Sequence, residues 1–441
     1  MGSRFFLRAL ASRVFALNGL AGFWQNGGME EHPQARYIVE VLGKAGFIAY
    51  YAGGWVRDFL LNHPSDDIDI ATNAPPETIQ ALFPHTVPIG IAFGIILVIV
   101  EGHQYEVATF RQDLDYSDGR RPGRVEFSTA VEDAKRRDFT INGMFYDPFK
   151  DEIFDYVGGK TDLEAKIIRA IGNPHERIKE DRLRMMRGVR LACRFGFKIE
   201  PETEKAIRAH AKELFPAVAI ERIWQEFTKG HDFRKLRPML IQLHEFGLLE
   251  AIFPELHGIS LTEIETRLAP IKEYPFDAPV IASILALFPG TTLLQQIQLC
   301  KKLKLSNLDQ QFVSFLFHAK DLCQIDQTQQ RPISLSEWAY FYANAFAAVS
   351  LQIIACHLDE RRRAAFFREH DERIDLLKRS IERIRKHDPI VKSDDLVQAG
   401  IVPGKTMGLL LEEADDIAIN EQLHEPTPII ERLKKSPLWP I

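Results

Sequence analysis

The residues Gly53-Gly54-Trp55-Val56-Arg57-Asp58, followed shortly by Asp67-Ile68-Asp69, place a phosphate-sized turn ahead of a pair of hard oxygen ligands. Adjacent glycines let backbone N–H groups approach a polyphosphate closely. Asp67 and Asp69, two apart on an extended segment, point to one face, and two carboxylates without a Lys or Arg partner need a cation. Mg²⁺ suits such a site because it keeps water and substrate phosphate among its ligands. The Gly54 amide and the Arg57 guanidinium supply donors for a triphosphate, with Asp58 placed to orient Arg57. Either half alone reads as an ordinary turn or an Asp-rich loop. Their order and spacing favour a nucleotide-and-metal site.

A second constellation lies downstream. The segment 177–194 carries arginines at 177, 182, 184, 187, 190 and 194 with apolar residues between them. On a continuous helix, Glu180, Arg184, Arg187, Arg190 and Arg194 fall within an arc of roughly 120°. Charge alone reads as a solvated face, and Asp181 shifts the balance. An acceptor (Asp181) beside a forked donor (Arg184) complements cytosine and adenine, which present an amino donor next to a ring-nitrogen acceptor; uracil and guanine invert that order. Glu180 is placed to fix the Arg184 fork. Arg187 and Arg190 are expected to meet phosphates.

These segments, with Arg136-Arg137-Asp138-Phe139-Thr140-Ile141-Asn142 between them, resemble the signature blocks of class II tRNA nucleotidyltransferases and bacterial poly(A) polymerases, densely over roughly residues 35–260. The resemblance implies an α+β fold: a polymerase-β-like nucleotidyltransferase head with an antiparallel or mixed sheet, then an all-helical neck, body and tail. It implies catalysis with two Mg²⁺ ions on Asp67, Asp69 and Glu106. For Glu106, in Tyr105-Glu106-Val107-Ala108, periodicity alone leaves a solvent-facing carboxylate equally open. It implies nucleotide contacts by Gly53, Gly54, Arg57, Arg137, Asp138 (to a ribose hydroxyl), Arg187 and Arg190, with Asn142 in support and Arg136 turned to solvent or RNA. Glu180-Asp181-x-x-Arg184 falls on the family's protein template for CTP and ATP. Asp155, Gly158 and Gly159 match the family's turn between head and neck.

Two activities share all of this. Asp113 to Phe127, rich in charge, Gly and Pro, reads as a mobile loop and resembles the flexible loop of CCA-adding enzymes, with Asp115, Arg120 and Arg121 its candidate residues. The expectation is CCA addition to tRNA 3′ ends. Poly(A) tailing, one half of a split CC- and A-adding system, and a noncatalytic RNA-binding paralogue are the alternatives; loss of a metal carboxylate would mark the last, and all three carboxylates stand in the sequence.

Composition narrows the context. The chain has 441 residues, 46% hydrophobic, enough for several domains. Its formal net charge of −6 provides no global basic field, so RNA contacts must come from local patches. Four dispersed cysteines, Cys193, Cys300, Cys323 and Cys356, fit a reduced cytoplasm without disulfides or zinc. No apolar run is long enough to span a membrane; the best, Ile89 to Val100, reads as one buried strand. Residues 1–28, basic and free of acidic residues, fit either an organelle transit peptide or an extension upstream of a start at Met29. The expected organisation is an N-terminal extension (1–34), head (35–160), neck (161–230), body (231–365) and tail (366–441), with strands ending near Thr161. Gly404-Lys405-Thr406 lacks the remainder of a phosphate-binding loop, and His231-Asp232 and His370-Asp371 lack the partners of a metal phosphohydrolase. The basic stretch 373–386 fits either tRNA phosphates or a solvated helix face. Oligomeric state has no signature.

Overall fold

A computed structural model describes residues 32–63, 65–116 and 122–440. Residues 1–28 and Met29, and the loop residues Arg120 and Arg121, lie outside the described residues. The chain folds as two compact units, the first ending at Glu265 and the second beginning at Thr266.

In the first unit, helix α1 (Pro33–Lys44) buries Ala35, Ile38, Val39 and Leu42, one stripe at helical spacing. Strand β1 (Ala49–Ala52) then leads into Gly53, whose φ of 70° turns the chain into helix α2 (Gly54–Leu60). After β2 (Asp69–Thr72) and helix α3 (Pro76–Leu82) come β3 (Thr86–Gly90), β4 (Ile95–Val100) and β5 (His103–Thr109). Strands β6 (Arg111–Tyr116) and β7 (Pro122–Phe127) and helix α4 (Ala130–Lys135) precede β8 (Met144–Asp147) and β9 (Glu152–Asp155). Seven strands form one sheet in the order β3-β4-β5-β2-β1-β8-β9. Its β2–β5 pair is parallel and its other pairs are antiparallel. The sheet is therefore mixed, as the resemblance implied. Beneath it pack Ala52, Ala71, Phe110, Ala134 and Phe145.

Two sequence expectations change here. The run Ile89 to Val100 is not one buried strand: Gly90 ends β3, Gly94 (φ 72°) closes a 3₁₀ turn, and β4 returns antiparallel. β3 is the sheet edge and exposes Val87 and Ile89. Asp113 to Phe127 is also not a structureless loop. Arg111 pairs with Phe127, Asp113 with Val125 and Tyr116 with Pro122, forming a hairpin that stands apart as its own two-stranded sheet. Charge, Gly and Pro in this stretch mask the hydrophobic alternation by which strands are read. Asp115 lies within β6.

Beyond the sheet, helices dominate: α5 (Gly159–Glu164), α6 (Pro174–Glu180), α7 (Leu183–Phe195), α8 (Pro201–His210) and α9 (Ile220–Asp232). Strands do not end entirely near Thr161, because Ile167–Ile168 and Lys198–Ile199 form a short parallel pair. The segment 177–194 is two helices, not one. Asp181 leaves α6 with extended backbone (φ −145°, ψ 103°), and its carboxylate accepts the Leu183 N–H at 3.1 Å, so a side-chain turn starts α7 anew.

The second unit is helical. Its longest helices, Asn307–Thr328 and Glu360–Lys386, begin at side-chain caps, Ser306 on the Asp309 N–H and Asp359 on the Arg362 N–H. His370 is buried, 2.6 Å from the Tyr342 hydroxyl, and burial pushes its imidazole down to about 3. It is a neutral core histidine. Lys405 and Thr406 open the helix Lys405–Asn420. No single helix among the described residues is long and apolar enough to cross a membrane.

Candidate active site

The acidic cluster follows from strand period. In β5, Tyr105, Val107 and Thr109 are buried while Glu106 between them is exposed. In the same way Ile68 and Ile70 are buried while Asp67 and Asp69 face out. The parallel register sets Ile70 beside Val107, so Asp69 and Glu106 come side by side on the open face of the sheet. Asp67 stands just before β2 on that side. Desolvation first, then the Asp67 and Glu106 carboxylates, push the Asp69 carboxyl up to about 6. Two carboxylates thus act on a third that resists ionisation, a hard-oxygen donor set suited to Mg²⁺, which draws part of its shell from water and substrate phosphate. Among the described residues no three His, Cys, Asp or Glu side chains are placed closely enough to hold one metal ion.

The turn sits against this cluster. β1 pairs Ala52 with Asp69, and a Cβ at Gly53 would lie 2.9 Å from Arg137 Nη1 and 3.6 Å from Asp69 Oδ2. Gly53, Asp69 and Arg137 thus share one small space. The first N–H groups of α2 have no acceptor within their own helix and open beside it. Arg137 is braced by Asp133, which accepts its Nε at 3.2 Å and Nη2 at 3.1 Å, while Arg136 Nε donates to the same carboxylate at 2.8 Å. Arg136 therefore does not turn to solvent or RNA; it grips a buried carboxylate. Burial would raise the Asp133 carboxyl, yet Arg137 and Arg136 hold it below the ordinary range. Sequence reasoning missed Asp133, although its i,i+3 and i,i+4 spacing to these arginines was a usable signal.

Other expected nucleotide ligands are committed to protein partners. Arg57 is 5% exposed, donates its Nε to Asp58 Oδ1 at 2.9 Å and an Nη to Asn142, and lies 4.8 Å from the Phe195 ring centre. Its fork braces the turn from within and does not reach out to a triphosphate. Asp138 accepts from Phe139 N at 2.8 Å, Asn142 Nδ2 at 2.9 Å, and Arg187 Nε and Nη2 at 2.8 and 2.6 Å. With both oxygens filled, it holds Arg187 in place of the expected ribose hydroxyl. Despite its burial, the Arg187 guanidinium holds the Asp138 carboxyl well below the usual range. Arg187 remains about a third exposed. Arg190 is corrected outright: 6% exposed, it donates its Nε at 2.5 Å to the equally buried Glu226, so it is an interior ion pair and meets no phosphate.

Asp181 and Arg184, the pair expected to read a base, meet across the break between α6 and α7. Arg184 Nη1 donates to Glu180 Oε2 at 2.6 Å and to the Arg177 carbonyl at 2.6 Å, and Nη2 reaches the Arg136 carbonyl at 3.4 Å. None of these bonds uses its Nε–H. Asp181 accepts the Leu183 N–H and two donors from Arg222, at 3.2 and 2.8 Å. A carboxylate has about four acceptor positions, so one remains. Arg222, from the start of α9, carried no local signal: its partner lies 41 residues away.

A mixed sheet bearing an open carboxylate face, a glycine turn against it and a separate donor–acceptor pair for a base defines a nucleotidyltransferase head. The chain matches the family model described as poly A polymerase head domain over residues 49–169, and that described as probable RNA and SrmB- binding site of polymerase A over 196–259. It is 32% identical to the CCA-adding enzyme of Lactococcus lactis over 415 residues, 92% of this chain and 97% of that protein. The chain belongs to the CCA-adding enzyme family. Its match to the Enterococcus faecalis CCA-adding enzyme is 49% identical but spans 200 residues, about half (49%) of that relative. The structure resembles that of the Bacillus stearothermophilus CCA-adding enzyme in complex with CTP, with a TM-score of 0.74 and 28% identity over 91% of this chain and 97% of that one.

Proposed function

We propose that this protein is a template-independent RNA nucleotidyltransferase that adds C, C and A to tRNA 3′ ends from CTP and ATP, acting in the cytoplasm. The observation that carries this reading is the pairing of the Asp67, Asp69 and Glu106 face with an Asp181–Arg184 edge that has one acceptor position and one side of the Arg184 fork to spare. Two Mg²⁺ ions, held by those carboxylates, would neutralise the leaving pyrophosphate and sharpen the RNA 3′-hydroxyl as a nucleophile. The α2 amides from Gly54 onward and Arg137 receive the triphosphate. Asp181 accepts the base amino group while Arg184 donates to the neighbouring acceptor. Arg187, steadied by Asp138, meets phosphate of nucleotide or primer, and Arg57 keeps the turn in shape. The division into head, neck, body and tail at residues 35–160, 161–230, 231–365 and 366–441 is part of this reading, as is a tRNA contact by the tail.

Poly(A) tailing and a split CC- or A-adding role use the same site, and the β6–β7 hairpin, carrying Asp115, is where the choice is placed. Three RNAs decide: a tRNA ending before CCA, the same tRNA ending in CC, and an unstructured RNA, each with Mg²⁺ and the four nucleotides singly and together. C, C, A and then arrest on the first tRNA is the expected result. Long A tracts on the unstructured RNA would make this a poly(A) polymerase, and A added only to the CC-ending tRNA would make it half of a split system.

The turn gives a sharper expectation. Gly53→Ala forces a side chain onto a backbone glycine alone enters freely and drives its Cβ against Arg137. Displacing Arg137 by less than an ångström is expected to lower kcat for CTP addition roughly a hundredfold. Steady-state kinetics alongside a melting curve test it; full activity with Ala at this position would remove Arg137 and the turn from the site.

A further inference from the structure

The structure contains a closed ring of side chains, of which only Arg187 has a direct part in the proposed chemistry. Starting from α7, Arg187 donates to Asp138 Oδ2 at 2.8 and 2.6 Å. Asn142 Nδ2 donates to Asp138 Oδ1 at 2.9 Å, and Asn142 Oδ1 accepts from Arg57. Arg57 Nε donates to Asp58 Oδ1 at 2.9 Å, and Asp58 Oδ2 accepts from Arg194 Nη2 at 3.1 Å, which returns the chain of bonds to α7. Arg187 and Arg194 are two helical turns apart, so both project from one side of α7. Arg57, Asp58 and Asn142 are 5%, 3% and 7% exposed, so these bonds are made where water competes poorly.

What the ring joins is the point. Arg57 and Asp58 belong to α2, whose first residues border Gly53 and Asp69. α7 follows Asp181 and carries Arg184 in its first turn. A nucleoside triphosphate bound as proposed spans from one to the other, base at α7 and phosphates at α2. We infer that this ring fixes the span between the base-reading end and the triphosphate end, and that Asn142 is the positioning residue on which it turns. Asn142 must accept from a guanidinium on one side and donate to a carboxylate on the other, and a side-chain amide does both without charge. A carboxylate at 142 would keep the Arg57 bond but face Asp138 with like charge. This inference rests on the base-reading role proposed for Asp181 and Arg184.

The polarity of the ring supplies its own test. Asn142→Asp breaks the match, while the exchange Asp138→Asn with Asn142→Asp restores it between these two positions: Asn at 138 can donate to the new Asp and accept from Arg187, at the cost of turning its Nδ2 toward the Phe139 N–H that Asp138 Oδ1 accepts at 2.8 Å. Incorporation of CTP against UTP is measured for the wild type, both single variants and the exchange, together with inhibition by inorganic tripolyphosphate, which occupies only the phosphate end. Asn142→Asp is expected to lower CTP-over-UTP selectivity at least about tenfold with little change in tripolyphosphate inhibition, and the exchange is expected to recover part of that loss. A role in stability alone predicts a lower melting temperature with selectivity unmoved, and that result overturns the inference; so does an exchange no better than Asn142→Asp. Arg184→Ala is run in parallel. If it relaxes selectivity while Asn142→Asp does not, the ring is refuted and base reading stands; if neither does, base reading falls and the ring with it.

Discussion

Asp69→Asn is expected to cut nucleotide incorporation by on the order of a thousandfold while the protein binds tRNA as before and melts at the same temperature or higher. The register that sets Asp69 beside Glu106 is fixed by backbone ladder bonds, which an amide at 69 leaves intact. What changes is charge. The Asp69 carboxyl is pushed up to about 6 by desolvation and by Asp67 and Glu106. A carboxyl with a folded-state value above its ordinary one favours the fold while protonated, and that contribution is lost as pH rises through about 6. At neutral pH the ionised group therefore weighs against the fold, and the neutral amide does not. In the proposed mechanism that charge gathers a cation with the triphosphate. Asp67→Ala should fail in the same way. Single-turnover primer extension, a melting curve and a tRNA gel shift measure the three quantities, and turnover near normal in Asp69→Asn would refute the assigned centre.

The contrast between what sequence reading reached and what it missed follows the range of the interactions. The carboxylate face was legible because strand period is local: a charged residue between buried neighbours at 105 and 107, or at 68 and 70, declares its side. The mixed sheet and helical remainder followed from the resemblance and from periodicity. Glu180 steadying Arg184 was legible for the same local reason, a spacing of four residues. By contrast, Arg190–Glu226, Arg187–Asp138 and Arg57–Asn142 link residues 36, 49 and 85 apart, and no window of sequence contains both partners. Without those partners, Arg57, Arg190 and Asp138 read as open ligands. Each turned out to be satisfied from within, as a buried charge must be. The hairpin at 111–127 was missed for the opposite reason: its pairing is local, but the charge, Gly and Pro of that stretch mask the short apolar alternations of its strands.

Arg184→Ala is expected to relax base choice, raising incorporation of UTP or GTP relative to CTP or ATP by about ten- to a hundredfold while overall turnover with CTP falls less. The argument is one of unmatched groups. Glu180 and the Arg177 carbonyl consume one end of the Arg184 fork at 2.6 Å each, so the guanidinium cannot swing to suit another base. Arg222 and the Leu183 N–H likewise hold the Asp181 carboxylate, leaving it one acceptor position. Against this fixed edge, uracil brings a ring N–H and a carbonyl in the reversed order, setting donor against donor and acceptor against acceptor at about 1 to 3 kcal/mol per group. Removing Arg184 abolishes one of those two clashes and leaves the other, since Asp181 still meets any base. Selectivity should therefore weaken without vanishing. Glu180→Gln, which keeps an acceptor but removes the charge that locks the fork, should lie between wild type and Arg184→Ala. Misincorporation ratios from all four nucleotides on the CC-ending tRNA decide it, and an unchanged preference in Arg184→Ala would place base selection elsewhere in the first unit.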